Sequence, residues 1–295
     1  RDRGEQQIVD DSLLLDYLGR HYYNSSYFEN NPDARIKDLV ITKLDESVTE
    51  APDGYTILGD LLGQPNSILE KKEVVFREAD YEYYILKIKQ GAGEGSPRFT
   101  DDIRVLYEGF LLDGQVFDTN LETPITFELV GATGIPGVIQ GWLNVFPNFN
   151  VAEDFNTNED GTVDYTNPGM GAMFLPSGLC YFSEARGIIS QYSPLVFKFE
   201  LLQYYENDHD NDGVPSYLEV GINANNELID THEKLVGIDT DGNVTPNFLD
   251  TDDDGDGILT INEDINKDGD PTNDIGANGI PNYLDPEETA SKNDN

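Results

Sequence analysis

Positive charge is what this chain has least of. Its 295 residues carry 18 Lys+Arg against 57 Asp+Glu, a formal net charge of -39. So acidic a surface is repelled by phosphate, which excludes nucleic acid and an anionic membrane face as bulk electrostatic partners. Cysteine is nearly missing as well. Cys180 stands alone, so no intrachain disulfide can form. The three histidines are too few and too scattered for a zinc site, and His209 and His232 read as ordinary residues. No apolar run approaches the 18 residues a membrane span needs, so no transmembrane segment is expected. The sequence starts at Arg1 with no apolar leader after it, which reads as a processed or trimmed chain and leaves export open. Aromatics are not lacking. With 16 Tyr, 14 Phe and 38% hydrophobic residues, the chain is too rich in core-forming side chains to be an acidic disordered tail.

The negative charge is unevenly spread. Residues 206–295 hold 24 acidic and 3 basic side chains, and the first 205 hold 33 and 15. The composition therefore divides the chain into an N-terminal extension (1–79), an aromatic-rich middle (80–204) and an acidic C-terminal module (205–295). In the extension, Leu14, Leu18 and Tyr22 repeat at helical spacing, Asp10-Asp11-Ser12 suits a helix start, and Gly19 argues against an unbroken helix. Residues 39–42 and 74–76 read as short strands. The extension is expected to pack on the middle region as a helix and added strands.

In the middle region, Tyr84, Leu86 and Ile88 alternate with Ile85, Lys87 and Lys89. Ile103, Val105 and Tyr107 alternate in the same way, as do Phe197, Phe199 and Leu201 with Lys198 and Glu200. Period-two patterning of this kind predicts an antiparallel sheet, half-buried, with one aromatic-rich inner face. A short helix is expected near 138–145. The Asn- and Asp-rich stretch 150–167 reads as a long surface loop inserted into the domain. The fold class is α+β.

The acidic module repeats itself. Asp208, Asp210, Asp212, Gly213 and Glu219 fit a calcium loop, with carboxylates at alternate positions, Gly at the sixth and an acid at the twelfth. Asp252, Asp254, Asp256, Gly257 and Glu263 fit it again. Partial matches occur at Asp239-Asp241, at Asp264-Asn266-Asp268 and at Asp270-Asn273-Asp274, and Asp250 closes a recurring Pro-Asn-aromatic-Leu-Asp phrase. Calcium takes six to eight oxygens, and alternate side chains in a tight loop converge on one point. The linkers are too short and too rich in Asn, Gly and Pro for EF-hand helices. The pattern resembles thrombospondin type-3-like repeats over about 206–286, without the cysteines of the animal repeats. That resemblance implies structural Ca2+ and a place outside the cytoplasm, in the periplasm or at the cell surface of a bacterium. A lipid-anchored outer-membrane protein is compatible with it, although the Cys that would carry the lipid is not in this sequence.

The middle region offers a lined cavity more readily than a reaction centre. Ser177, Ser183, Cys180 and His21 form no nucleophile–base pattern, and Gly131-Ala132-Thr133-Gly134 lacks the strand-to-helix context of a phosphate loop. Tyr107, Phe117, Phe127, Trp142, Tyr181 and Phe197 lie on or beside expected strands or the short helix, each of them as suited to core as to site. Five ordered segments carry a resemblance: Val105-Leu106-Tyr107-Glu108-Gly109, Asp113-Gly114-Gln115-Val116-Phe117-Asp118, Val138-Ile139-Gln140-Gly141-Trp142, Leu175 to Tyr181, and Ser193 to Leu201. Over about 80–202 the chain resembles the FKBP-type peptidyl-prolyl cis-trans isomerases.

The resemblance implies a five- or six-stranded antiparallel sheet wrapped on a short helix, with the pocket between. Trp142 then resembles the pocket floor, and Tyr107, Phe117 and Phe197 its walls. Val138 and Ile139 frame the entrance, the Ile139 amide receiving a substrate carbonyl. Asp118 supplies a carboxylate near the imide, Tyr181 a hydroxyl, and Ile188 and Ile189 an overhanging flap. Ile125 departs from the pattern, where an aromatic wall is frequent, so that wall is expected to be thinner. The implied substrates are proline-containing peptides or unfolded exported proteins, and the chemistry asks for no cofactor.

Overall fold

The computed structural model describes residues 2–131, 137–219 and 238–294. His232 and the Ala132–Gly134 stretch lie outside them. The described chain divides into two compact units, one of residues 1–97, 103–127 and 139–204, the other of residues 98–102, 128–138 and 205–295.

The first unit is built on a six-stranded sheet. In chain order its strands are β4 (Leu69–Phe76), β5 (Ala79–Lys89), β6 (Asp102–Leu111), β7 (Val116–Glu128), β10 (Gly169–Leu175) and β11 (Leu195–Tyr205), laid side by side as β4-β5-β10-β11-β6-β7. β10 pairs antiparallel with β5 and with β11, Phe174 lying opposite Tyr84 and Val196. Every residue of β10 is buried. It reads Gly-Met-Gly-Ala-Met-Phe-Leu, a continuous apolar run suited to a strand covered on both faces.

The sheet is therefore not half-buried as its alternation suggests. β11 shows why, since side chains two apart share a face. Phe197 and Phe199 point to one side, where α3 (Gln140–Val145) and the turn after it present Trp142, Phe146 and Phe149. Lys198 and Glu200 point to the other, and that side is not solvent. Arg35 donates to both Glu200 oxygens, the Ile36 amide adds a bond of 2.7 Å, and Glu200 is fully buried. The polar half of the alternation meets a second layer built by residues before β4.

That layer begins with α1 (Arg3–Arg20), followed by β1 (His21–Tyr23), α2 (Ser25–Asn30), β2 (Ile41–Lys43) and β3 (Thr56–Ile57). β1 lies between β2 and β3 in a small antiparallel sheet. Leu14, Tyr17 and Leu18 join Tyr84, Met170, Phe174 and Val196 in one core. The helix starts earlier than Asp10-Asp11-Ser12 suggests. Asp2 caps it by accepting from the Glu5 amide, and Asp10 lies buried in mid-helix. Tyr22 falls in β1 instead of on the helix. Gly19 does not break the helix. A Cβ on Gly59 would stand 3.0 Å from the Gly19 Cα, so the two backbones approach closely there, whereas a Cβ on Gly19 itself would meet nothing within 4 Å.

The 150–167 segment is not a plain loop. Asp154–Thr157 (β8) and Val163–Thr166 (β9) pair as a hairpin, and Tyr165 is buried in the sheet core. The second unit has little regular structure: one turn of helix, α4 (Ser216–Glu219), and short 3-10 turns at Asn247–Leu249, Thr260–Asn262, Pro271–Asn273 and Asn282–Leu284. Its strand ends and loops include His209, whose ring bonds Ser216 at 2.8 Å and Glu128 at 3.0 Å.

Candidate functional site

The aromatic side chains of the middle region converge on Trp142. Its ring centroid lies 5.2 Å from Tyr107, 5.3 Å from Phe127, 5.2 Å from Phe146 and 5.4 Å from Phe197, all edge to face. Phe117 stands edge-on to Phe197 at 5.5 Å. Pairs in this geometry each contribute about 0.5–1.5 kcal/mol beyond burial, so the walls brace one another. Ile125 does not thin the box, because Phe127, two places on and on the same face of β7, fills that side against Tyr107 at 5.6 Å. The Trp142 Nε1 is buried with no acceptor among the described residues.

One polar pair edges the box. The Tyr107 hydroxyl donates to Asp118 Oδ2 at 2.5 Å, and Asn120 Nδ2 donates to that hydroxyl at 3.3 Å. Burial first and the Asp118 contact second push the phenol well above its usual pKa, so it stays protonated. Asp118 is itself exposed, with its phenol-facing oxygen occupied.

The remaining candidates are placed as follows. Ile139 is extended and caps α3, its carbonyl accepting from the Trp142 amide at 3.0 Å. Val138 belongs to the second unit, where its amide donates to the Leu129 carbonyl at 3.2 Å. Tyr181 is half-buried, with the Arg186 guanidinium 4.5 Å over its ring. Arg186 and Ile189 exchange two backbone bonds, making a tight flap turn that buries Ile189 and leaves Ile188 exposed.

Asp10 belongs to the support of this region, although its sequence context reads as a helix start. Its Oδ2 accepts from both the amide and the hydroxyl of Ser177, at 2.8 and 2.6 Å. Arg3 reaches the same turn, donating to Gly178 O and Tyr81 Oη and lying 4.2 Å over the Phe182 ring. No local pattern signals a contact spanning more than 160 residues.

In the second unit, carboxylates gather in three groups, each with one oxygen per residue within 4.8 Å of the others: Asp208, Asp210 and Asp212; Asp212, Glu219 and Asp253, which shares Asp212 with the first; and Asp252, Asp254 and Asp256. Both oxygens of Glu219, Asp253 and Glu263 are buried with no donor among the described residues. Burial, with neighbouring carboxylates next, pushes Glu219 up to about 10 and Asp253 to about 9. Asp210 and Glu263 rise to about 8 from the same causes. Acidic groups packed this tightly could coordinate a cation, which would stabilise their charged form.

The remaining metal candidates are not brought into such a group among the described residues. Asp239 accepts from the Gly242, Asn243 and Val244 amides, and Asp264 from those of Asp268 and Gly269. Asp241, Asp250, Asn266, Asp268 and Asp270 each accept from a backbone amide two residues on or side-chain groups nearby. Asp274 takes the Asn266 amide. Among the described residues, alternate Asp and Asn close Asx turns along the repeats, and two loops aim the surplus oxygens at one point. Asp253 is the ligand-type residue the spacing missed, because it stands off the alternate register of its own loop.

Comparison with known proteins follows the two units' composition. Residues 93–202 match the family model of FKBP-type peptidyl-prolyl cis-trans isomerase. Residues 209–272 match the family described as BamM C-terminal, a different family from the thrombospondin repeats that their spacing resembles. Among curated proteins, the FKBP-type peptidyl-prolyl cis-trans isomerase FkpA of Aeromonas hydrophila is 29% identical over 61% of this chain and 56% of its own length. The FKBP-type 22 kDa peptidyl-prolyl cis-trans isomerase of Escherichia coli is 31% identical over 38% of this chain and 45% of its own. The chain thus spans about half the length of these relatives. A solved isomerase from Pseudomonas syringae pv. tomato covers 50% of this chain and 86% of its own, at 23% identity and a TM-score of 0.35.

Proposed function

Taking the FKBP-type domain at residues 93–202 as the starting point, we propose that the chain is a peptidyl-prolyl cis-trans isomerase acting on X-Pro bonds of proline-containing peptides or unfolded exported proteins. The observation that carries this reading is the Trp142-centred box of Tyr107, Phe127, Phe146 and Phe197.

Rotation about an X-Pro bond faces a barrier of about 18–20 kcal/mol, most of it amide resonance. The planar imide is more polar than the twisted one, so an apolar, water-poor cavity lowers the barrier without touching a covalent bond. A proline ring seated on Trp142 would be held by its walls. The Ile139 amide would take the preceding carbonyl, and Tyr181 would bond the peptide from the flap side. Asp118, held by the Tyr107 hydroxyl, would face the reacting imide with its other oxygen. Tyr107 thereby combines wall and tether. None of these steps needs a nucleophile or cofactor.

A protease-coupled assay on an X-Pro peptide tests the reading. Wild-type turnover is expected above the uncatalysed rate, with Trp142→Ala or Asp118→Ala lowering kcat/KM by about tenfold or more, roughly 1.4 kcal/mol of transition-state stabilisation. A rate equal to background alongside measurable peptide binding would make the domain a peptide-binding module of a cell-surface protein.

The acidic repeats are read in the same proposal as a structural Ca2+ module, supported by oxygen-only ligands in loops of calcium-site spacing. Millimolar calcium outside the cytoplasm suits such a module, which fits an exported protein of the periplasm or cell surface, including a lipid-anchored one.

A further inference from the structure

The two calcium-type loops are not equivalent. The second closes on itself: Asp252, Asp254 and Asp256 converge, and Glu263, twelfth in the loop, is fully buried with both oxygens unpartnered among the described residues. The first loop supplies Asp208, Asp210, Asp212 and Glu219, and its group is completed by a residue from elsewhere. Asp253 lies within 4.8 Å of Asp212 and Glu219, more than 30 residues further along the chain.

Alternation explains how one short run serves both loops. In Asp252-Asp253-Asp254 the outer two side chains turn into their own loop and the middle one turns the other way. Thr260 fixes the backbone there, its hydroxyl accepting from the Asp253 amide at 3.3 Å. Asp212, Glu219 and Asp253 are 1%, 3% and 1% exposed. Five of their six carboxylate oxygens have no donor among the described residues. No basic side chain belongs to the group. Three buried acids that face each other with a single backbone donor, from Val214 to Asp212, and no counter-charge are suited to binding a hard cation by oxygen.

We propose that Asp253 is a ligand of the cation held by the first loop, so that the first site is assembled only when the second loop is folded. This rests on the reading of the repeats as calcium-binding. No residue of the first loop enters the Asp252, Asp254 and Asp256 group, so the second site can fill before the first, while by linkage a cation in the first site strengthens the second in return. Losing a second-loop ligand should weaken both sites, and losing a first-loop ligand should weaken chiefly the first. The arrangement lets the second loop supply the oxygens of Asp253 to its neighbour.

Calorimetric titration of the full chain with calcium, against a competing chelator, tests this. Wild type is expected to show two strong sites. Asp253→Asn is expected to weaken one of them at least tenfold and leave the other unchanged, and Glu263→Gln to weaken both. Glu287→Gln, the same change of charge on an exposed residue outside every group, is expected to alter neither. A second measurement separates a ligand from a merely structural residue. In calcium, Asp253→Asn should shorten the module's resistance to protease relative to wild type, and in chelator the two should be cut alike, whereas a merely structural loss would weaken both. No calcium binding by wild type would remove the calcium reading itself. Binding by wild type that Asp253→Asn leaves intact, or that Glu287→Gln weakens equally, would overturn the bridging role alone.

Discussion

At Gly109 a single hydrogen atom separates a formed box from a displaced one. A Cβ there would lie 2.5 Å from the Phe117 ring and 2.8 Å from that of Phe197, closer than carbon atoms approach without something moving. Both rings are walls, and Phe197 also touches Trp142, so neither can yield without opening the box. Gly109→Ala is expected to cost about 1–3 kcal/mol of stability by overpacking and to raise KM for an X-Pro peptide. Paired chemical denaturation and steady-state kinetics check both, and an unchanged KM would mean that Phe117 is no part of the peptide site. The box was largely legible in the sequence, because Tyr107, Phe117, Trp142 and Phe197 sit in ordered segments that resemble one family. Phe127 was legible only as a nearby aromatic. Which of two positions fills a wall depends on strand register, and composition does not carry register. Asp253 was hidden for the opposite reason: the calcium spacing that reveals Asp252 and Asp254 skips the residue between them.

The first helix shows how an element can be visible while its job is not. Helical spacing located α1, but Asp10 read as its start and proved to be a buried acceptor within it. Asp10 holds Ser177 by two bonds and accepts from Gln6 Nε2 at 2.7 Å, and the turn it holds leads within four residues to Tyr181. Arg3 grips the same turn at Gly178 and stacks on Phe182. The helix thus ties the N-terminal layer to the root of the flap. Asp10→Ala strands buried donors at Ser177 and is expected to destabilise the unit by about 2–3 kcal/mol. Beyond stability, KM should rise while kcat changes little, as Tyr181 loses its fixed position. Asp10→Asn, which keeps an acceptor oxygen, should recover part of both. A loss of stability without any change in KM would confine Asp10 to packing. The same layer explains why the sheet looked half-buried from its alternation. Glu200 reads as solvent-facing until Arg35, 165 residues away, is brought over it. A buried carboxylate paired in this way marks a covering layer, and only the tertiary fold reveals the partner.

Charge organises the whole molecule. The 24 acids after residue 205 face only 3 bases, and the groups at Asp212, Glu219 and Asp253 are buried without counter-charge. Among the described residues after 205, the buried hydrophobic side chains are Val214, Phe248 and Tyr283, joined in this unit by Phe99, Leu129 and Val130. On the proposed reading, removing a bound divalent cation would leave repulsion with little core to oppose it, and folding of the unit would be linked to metal in the manner of small metal-held domains. The first unit has two apolar layers on its sheet and owes nothing to those carboxylates. The boundary that matters is not a simple cut at residue 205. Residues 98–102 and 128–138 group with the acidic repeats, held by Arg98 over the Tyr217 ring at 3.4 Å, Asn207 donating to Thr100 O, and His209 bonded to Glu128. Limited proteolysis before and after chelation should therefore open 205–294 and, with it, 98–102 and 128–138, while residues 3–97 and 139–204 remain protected. Mapping the new termini by mass spectrometry distinguishes the outcomes. Cuts confined to the stretch after 205 would show that the two short segments hold their structure without the repeats. Unchanged protection everywhere would remove metal from the stability of the fold.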